Sequence, residues 1–194
     1  ELLIYAIAGG NADIIHIVEN EIKGCDVTDI RTLYTAILYM RNELIEYIIS
    51  SYHVSIDAEC YIKCIYASNY EALKILLEHD DSDAIDLYGK IGSTPLDIAS
   101  FEGYLDFFAF LLTIDKVDPK HINNYDKNIL HSAARSNKKD IAQYIVEHKL
   151  ASPFDSGDYY LSPYDVASNY GNYDITEYFD SLESGNDDDE EEES

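Results

Sequence analysis

The chain has 194 residues, 46% of them hydrophobic, and a formal net charge of −25. The hydrophobic share is ample for one folded unit. The charge excludes a general affinity for nucleic-acid phosphates, which requires clustered Lys and Arg, and works against anionic membrane surfaces.

No apolar run approaches the ~20 residues of a membrane helix, and no signal-peptide pattern opens the chain. The three cysteines are Cys25, Cys60 and Cys64. An odd count argues against a disulfide framework and for a reducing compartment, so the expected location is intracellular, in cytoplasm or nucleus. Cys60 and Cys64 share a helix face at i and i+4. A metal site would need two more ligands, and none of the six histidines forms an obvious pair. Neither a metal nor a cofactor is expected.

The chain opens on Glu1, inside a helical pattern. Leu3 and Ala6 precede Gly10, and an acid-led apolar run follows from Asp13 to Val18. The pattern returns at Leu33 and Ala36 with Glu43–Ile49, then at Tyr61 and Cys64 with Glu71–Leu77. From Asp80 to Thr94 the linker lengthens. The glycines in Asp86–Gly92 predict a β-turn finger there.

The stretch Ser93–Gly103 states the unit most fully. Thr94 can cap a helix and Pro95 suits its first position, where a missing N–H costs nothing. Leu96 and Ala99 share one face, and Gly103 can take the left-handed turn that ends the helix. A second helix follows over Tyr104–Leu112, with Leu105, Phe108, Leu111 and Leu112 as its apolar stripe. Asn128–Val146 and Ser162–Phe179 repeat the same sequence of features.

Small residues at 6, 36, 64, 99, 133 and 167 are spaced 30, 28, 35, 34 and 34 apart. Carboxylates at 13, 43, 71, 106, 140 and 174 give the same five values. A fixed period in this range marks a repeat architecture, here of six repeats. Each carboxylate begins a second helix, where its charge meets the positive end of the helix dipole. Capping explains such a row better than catalysis does.

This pattern resembles the ankyrin repeat. Thr94-Pro95-Leu96-Asp97 matches that family's Thr-Pro-Leu-His tetrapeptide with Asp in the His place. Asn128-Ile129-Leu130-His131 keeps Leu and His, and Ser162-Pro163-Tyr164-Asp165 keeps the cap and the proline. The resemblance implies an all-α helical solenoid of about six repeats, over residues 1–25, 26–54, 55–84, 85–121, 122–155 and 156–182. The first three repeats lack the tetrapeptide, and their shorter spacing leaves no room for full fingers. Fingers are therefore expected mainly in the C-terminal half. They fall at 86–92, 123–127 and 154–160 and should project on one side.

After Leu182 the composition changes. Asp187–Glu193 is a run of seven like charges, so 183–194 is expected to be a disordered acidic tail. No nucleophile–base pair, phosphate loop or metal spacing is present, and no enzyme is expected. His131 lies beside Ser132, but the resemblance implies that its imidazole bridges backbone between repeats.

Recognition of another protein is what remains. The resemblance implies a concave surface made of fingers and exposed first-helix positions. Those positions are the second and third after each small residue: Leu38 and Tyr39, Tyr66 and Ala67, Phe101 and Glu102, Arg135 and Ser136, Asn169 and Tyr170. The fingers add Tyr88, Tyr125, Tyr159 and Tyr160, with Asp86, Asp126 and Asp158 beside them. Eighteen tyrosines and no tryptophan make Tyr the main aromatic, and Tyr is a common interface anchor. The expected protein-binding residues are Tyr66, Tyr88, Phe101, Glu102, Tyr125, Asp126, Arg135, Asp158, Tyr159, Tyr160 and Tyr170. The expected partner is a basic or mixed-charge protein, bound by a monomer. Two other readings compete with it. One is an architectural segment of a longer repeat array, with its partner site elsewhere. The other is a chaperone of basic proteins such as histones, acting through Asp187–Glu193.

Overall fold

The structure is a computed structural model that describes residues 2–10, 13, 17, 28–82, 84–89, 92–123, 127–156 and 161–184. Among these residues it is all-helical, with no β-strand. The helices are α1 (Leu2–Gly9), α2 (Ile30–Leu38), α3 (Asn42–Tyr52), α4 (Ala58–Ala67), α5 (Tyr70–His79), α6 (Pro95–Glu102), α7 (Leu105–Leu111), α8 (Ile129–Arg135), α9 (Lys139–Glu147), α10 (Pro163–Tyr170) and α11 (Tyr173–Ser184). The chain divides into two compact units, residues 1–95 and 96–194.

In the first unit α1 packs on α2, α2 on α3 and α4, α3 on α5, and α4 on α5. The helix α2 thus meets the next first helix, α4, as well as its own partner, α3. The buried residues follow helical spacing: Leu33, Ala36 and Ile37 on α2, then Tyr61, Cys64 and Ile65 on α4, all with essentially no exposed surface. Second helices contribute Ile45 and Ile48, then Leu73 and Leu76. Small residues at 36 and 64 let neighbouring first helices approach, because a larger side chain there would overfill the gap.

In the second unit α7 packs on α9, α8 on α9 and α10, α9 on α11, and α10 on α11. Ala99, Ala133 and Ala167 are fully buried, as are Phe108, Ile145 and Phe179 from the second helices. Caps fix the helix starts. Asn128 accepts from the N–H groups of Leu130 and His131, at 3.0 and 3.1 Å. Ser162 Oγ accepts from Asp165 N–H at 3.1 Å, and the Asp165 carboxylate accepts from Ser162 N–H at 2.8 Å. With Pro163 at the first helical position, that reciprocal cap sets where α10 begins.

The turn inside each hairpin is built alike. One residue takes the left-handed conformation: Gly10, Met40, Ser68, Gly103, Asn137 and Gly171, with φ between +52° and +84°. In three of these turns the next residue hydrogen-bonds back to the end of the preceding repeat's first helix. Arg41 Nε donates to Ala8 O at 2.9 Å. Asn69 Nδ2 donates to Ile37 O at 3.1 Å, and Asn172 Nδ2 to Ala134 O at 2.6 Å. All three carbonyls lie in the last turn of a first helix, where intrahelical donors run out. Lys138 lies over Gly103, where an added Cβ would come within 2.7 Å of Lys138 Cδ. A side chain at 103 would therefore be both strained and crowded.

Two expectations need correction. The last helix runs to Ser184, two residues into the stretch expected to be tail. Asp187–Glu193 lies outside the described residues. The third position after the small residue is also less exposed than expected. Tyr39 and Tyr170 are exposed, but Ala67, Glu102 and Ser136 are half-buried at the helix end.

Candidate protein-binding faces

The first unit places Tyr66 at the end of α4, where its ring is 42% exposed. Lys63 stands one turn back on the same helix. Its Nζ lies 5.8 Å from the Tyr66 ring centre and 5.9 Å from that of Tyr34 on α2. Lys63 also pairs with Glu59 one turn earlier, and both side chains are largely covered. Tyr34 is fixed from its far end, because its hydroxyl donates to Asp57 Oδ2 at 2.6 Å. Burial, then this bond to a carboxylate, pushes the Tyr34 phenol well above its ordinary range. Asp57 serves twice, since its other oxygen accepts from Cys60 N–H at 3.1 Å and caps α4. Tyr88 is exposed on the segment after the 3-10 turn Ala84–Asp86. Next to it, an added Cβ at Gly89 would come within 2.3 Å of Ile62 Cδ1, so the backbone there approaches α4 closely.

The second unit carries a similar group. Phe101 on α6 is 38% exposed and Tyr170 on α10 is 58% exposed. Arg135, at the end of α8, is exposed as well. Its Cζ lies 5.9 Å from the Phe101 ring centre and 5.6 Å from that of Tyr170. Both distances fall within the range of cation–π attraction. Of the predicted residues, Arg135 therefore lies against both Phe101 and Tyr170, and half-buried Glu102 follows Phe101 in the chain. Asn172 pins the end of α8 through Ala134 O and Arg135 O, so the arginine stands on a fixed backbone.

Tyr125, Asp126, Asp158, Tyr159 and Tyr160 lie outside the described residues. Two of the segments expected to be fingers are closed by backbone hydrogen bonds. Gly89 N–H donates to Ser93 O, and Asn123 N–H to Lys127 O, each at 2.9 Å. Sequence reasoning missed Lys63 and Tyr34. Lys63 and Tyr66 are spaced i and i+3 on one helix, which is a legible signal for a side-by-side pair.

The residues that looked most reactive are engaged structurally. His131 is buried, its Nε2 3.0 Å from Leu161 O of the next repeat. Nδ1 lies 3.3 Å from Asn128 N and 2.8 Å from Asn128 Oδ1, so the ring links the cap of α8 to the backbone of the next repeat. Burial holds this imidazole below the ordinary histidine range. Cys60 and Cys64 are free, buried thiols whose ionisation burial pushes up, so they are poor nucleophiles. Among the described residues no three His, Cys, Asp or Glu side chains group as metal ligands. Nor, among those residues, is any helix long and apolar enough to cross a membrane.

A family profile described as "Domain of unknown function (DUF3447)" matches residues 1–76. No curated protein matches the chain.

Proposed function

We propose that this chain is an ankyrin-type scaffold that binds a basic or mixed-charge protein segment. The face used consists of exposed first-helix residues, with finger residues beside them. The observation that carries this reading is the contact of Phe101, Arg135 and Tyr170 on three successive first helices. Rings held this way are ordered before a partner arrives, so they lose little entropy on binding. Exposed aromatics beside arginine also have the composition of interface anchors.

Several features support the ankyrin assignment. The last three hairpins keep the 34-residue period, and Pro95 and Pro163 both open first helices. His131 joins one repeat to the backbone of the next, as that family's histidine does. The closed bases at Gly89–Ser93 and Asn123–Lys127 are what β-turn fingers would stand on. The large negative charge favours partners carrying Lys and Arg, chiefly by speeding encounter. Buried, unpaired thiols suit a reducing cytoplasm or nucleus.

Affinity purification from the source cell tests the proposal with three forms of the full chain: wild type, the double variant Phe101→Ala/Tyr170→Ala, and a deletion of 187–193. Proteins retained by the deletion and lost from the double variant support face binding. Proteins lost only with the deletion would instead support a chaperone acting through the acidic run.

A further inference from the structure

Arg135 differs from its surroundings in charge. Residues 122–155 carry Lys127, Arg135, Lys138, Lys139 and Lys149 against Asp126, Asp140, Glu147 and Asp155, whereas the whole chain stands at −25. Among the described residues, no carboxylate lies within ion-pair reach of Arg135. The ring-flanked cation of the first unit, Lys63, stands one residue before its repeat's small residue and is neutralised by Glu59. In so acidic a chain, an exposed arginine with no carboxylate partner among the described residues needs an account.

The geometry supplies one. Rings attract a guanidinium through its flat faces and leave its N–H edge open. Phe101 and Tyr170 lie near the guanidinium of Arg135, and Asn172 fixes the backbone beneath it. The exposed guanidinium is a two-pronged donor that matches one planar acceptor, a carboxylate. Lysine, which offers a point charge and no fork, would not make this match.

We propose that Arg135 is the receptor for an Asp or Glu side chain of the bound protein segment. The inference rests on the scaffold reading and narrows its partner. The protein's field repels an isolated acid at long range but is screened beyond about 8 Å at physiological salt. The partner's carboxylate is therefore flanked by Lys or Arg. The basic residues draw the segment in, and the carboxylate sets its register on Arg135.

The test selects a random linear-peptide display library against the full chain, then measures binding of an enriched peptide by fluorescence anisotropy. Enriched peptides should share an Asp or Glu among basic residues. Arg135→Gln should weaken such a peptide at least about tenfold, as expected for a lost charge-assisted hydrogen bond. Changing the peptide's acid to its amide should weaken wild-type binding equally, yet cost little further on the variant. Arg135→Lys, which keeps charge and loses the fork, should fall between. Thermal melts of both variants should match wild type, because the side chain is exposed. Peptides that bind Arg135→Gln as tightly as wild type would overturn the carboxylate receptor and leave the scaffold reading standing. Failure to enrich any peptide, or enrichment that vanishes when 187–193 is deleted, would overturn both.

Discussion

Lys63 and Arg135 make an instructive pair. Both are first-helix cations flanked by aromatic rings at 5.6–5.9 Å. Lys63 has Glu59 one turn away, and Tyr34 beneath it is fixed by Asp57. The charge in the first unit is thus spent internally, and the cluster behaves as part of the fold. Arg135 has rings but no internal acid among the described residues, and its charge faces outward. The same packing device serves stability in one place and is available for recognition in the other. Which role it takes depends on one carboxylate at i−4.

The hairpin turns differ between the units too, and substitutions there should give the largest effect. Asn69 is buried, caps α5 through Ala72 N–H, and bonds both Ile37 O and Asn42 Oδ1. Asn69→Ala should cost about 2–3 kcal/mol, since a cap is lost and buried groups are left unpaired. Asn172, half-buried in the second unit, should cost only about 1 kcal/mol when changed to Ala. Denaturant titration of both variants checks the order, and equal losses would mean the two turns are equivalent.

Packing should come next. Ala99 has no exposed surface, so Ala99→Leu should overfill its site and cost roughly 1–3 kcal/mol. Phe101→Ala, two residues on and partly exposed, should cost less. Thermal melts decide it, and the reverse order would mean that the two sides of α6 have exchanged roles.

The cations themselves should separate clearly. Lys63→Ala removes an ion pair and two ring contacts and leaves Glu59 covered without its partner, for about 1–2 kcal/mol. Arg135→Ala should cost under about 1 kcal/mol, because only exposed ring contacts are lost. Equal losses would erase the distinction drawn between them.

A pH effect near neutrality is expected from the second unit. His131 is held neutral by burial, so its folded pKa lies below the unfolded value of about 6.5. The unfolded chain then takes up the proton first as pH falls. The contribution of His131 is complete above that unfolded value and is lost as pH falls below it toward the folded pKa. Melts of wild type and His131→Gln from pH 7.5 to 5.5 should show a shallower loss in the variant.

The smallest effect expected is a gain. Met40 is exposed and left-handed at φ +57°, a conformation that glycine adopts without strain. Met40→Gly should stabilise by about 0.5–1 kcal/mol. Gly103→Ala, at φ +84° and against Lys138, should destabilise by a similar or larger amount. Calorimetric melting temperatures give both signs.

Much of this architecture was legible because it is local. Acids at 43, 71, 106, 140 and 174 each fall in the first turn of a second helix, as the spacing predicts. Ala99, Ala133 and Ala167 are buried as the phase requires. Gly103, Asn137 and Gly171 were readable as turns, whereas Met40 and Ser68 were not, since neither residue type favours positive φ. The reach of Asn69 to Ile37, or of Arg135 toward Phe101 and Tyr170, joins residues some thirty positions apart. No local propensity encodes such contacts. The clue that was available was positional: an Arg, Asn or Lys directly after five of the six turns, at 11, 41, 69, 138 and 172.

That turn also limits how the chain can change in length. From Ala36 to Met40 to Glu43, and likewise from Cys64, Ala99, Ala133 and Ala167, the offsets stay constant while whole repeats range from 28 to 35 residues. An inserted residue there would break the left-handed turn and pull its neighbour off the carbonyl it holds. Insertions and deletions are tolerable only in the connections between hairpins, such as Asp80–Thr94 or Ile114–Lys127. A peptide tag or a foreign loop placed in those connections should leave the fold standing, and the same cargo placed after Gly103 or Asn137 should not.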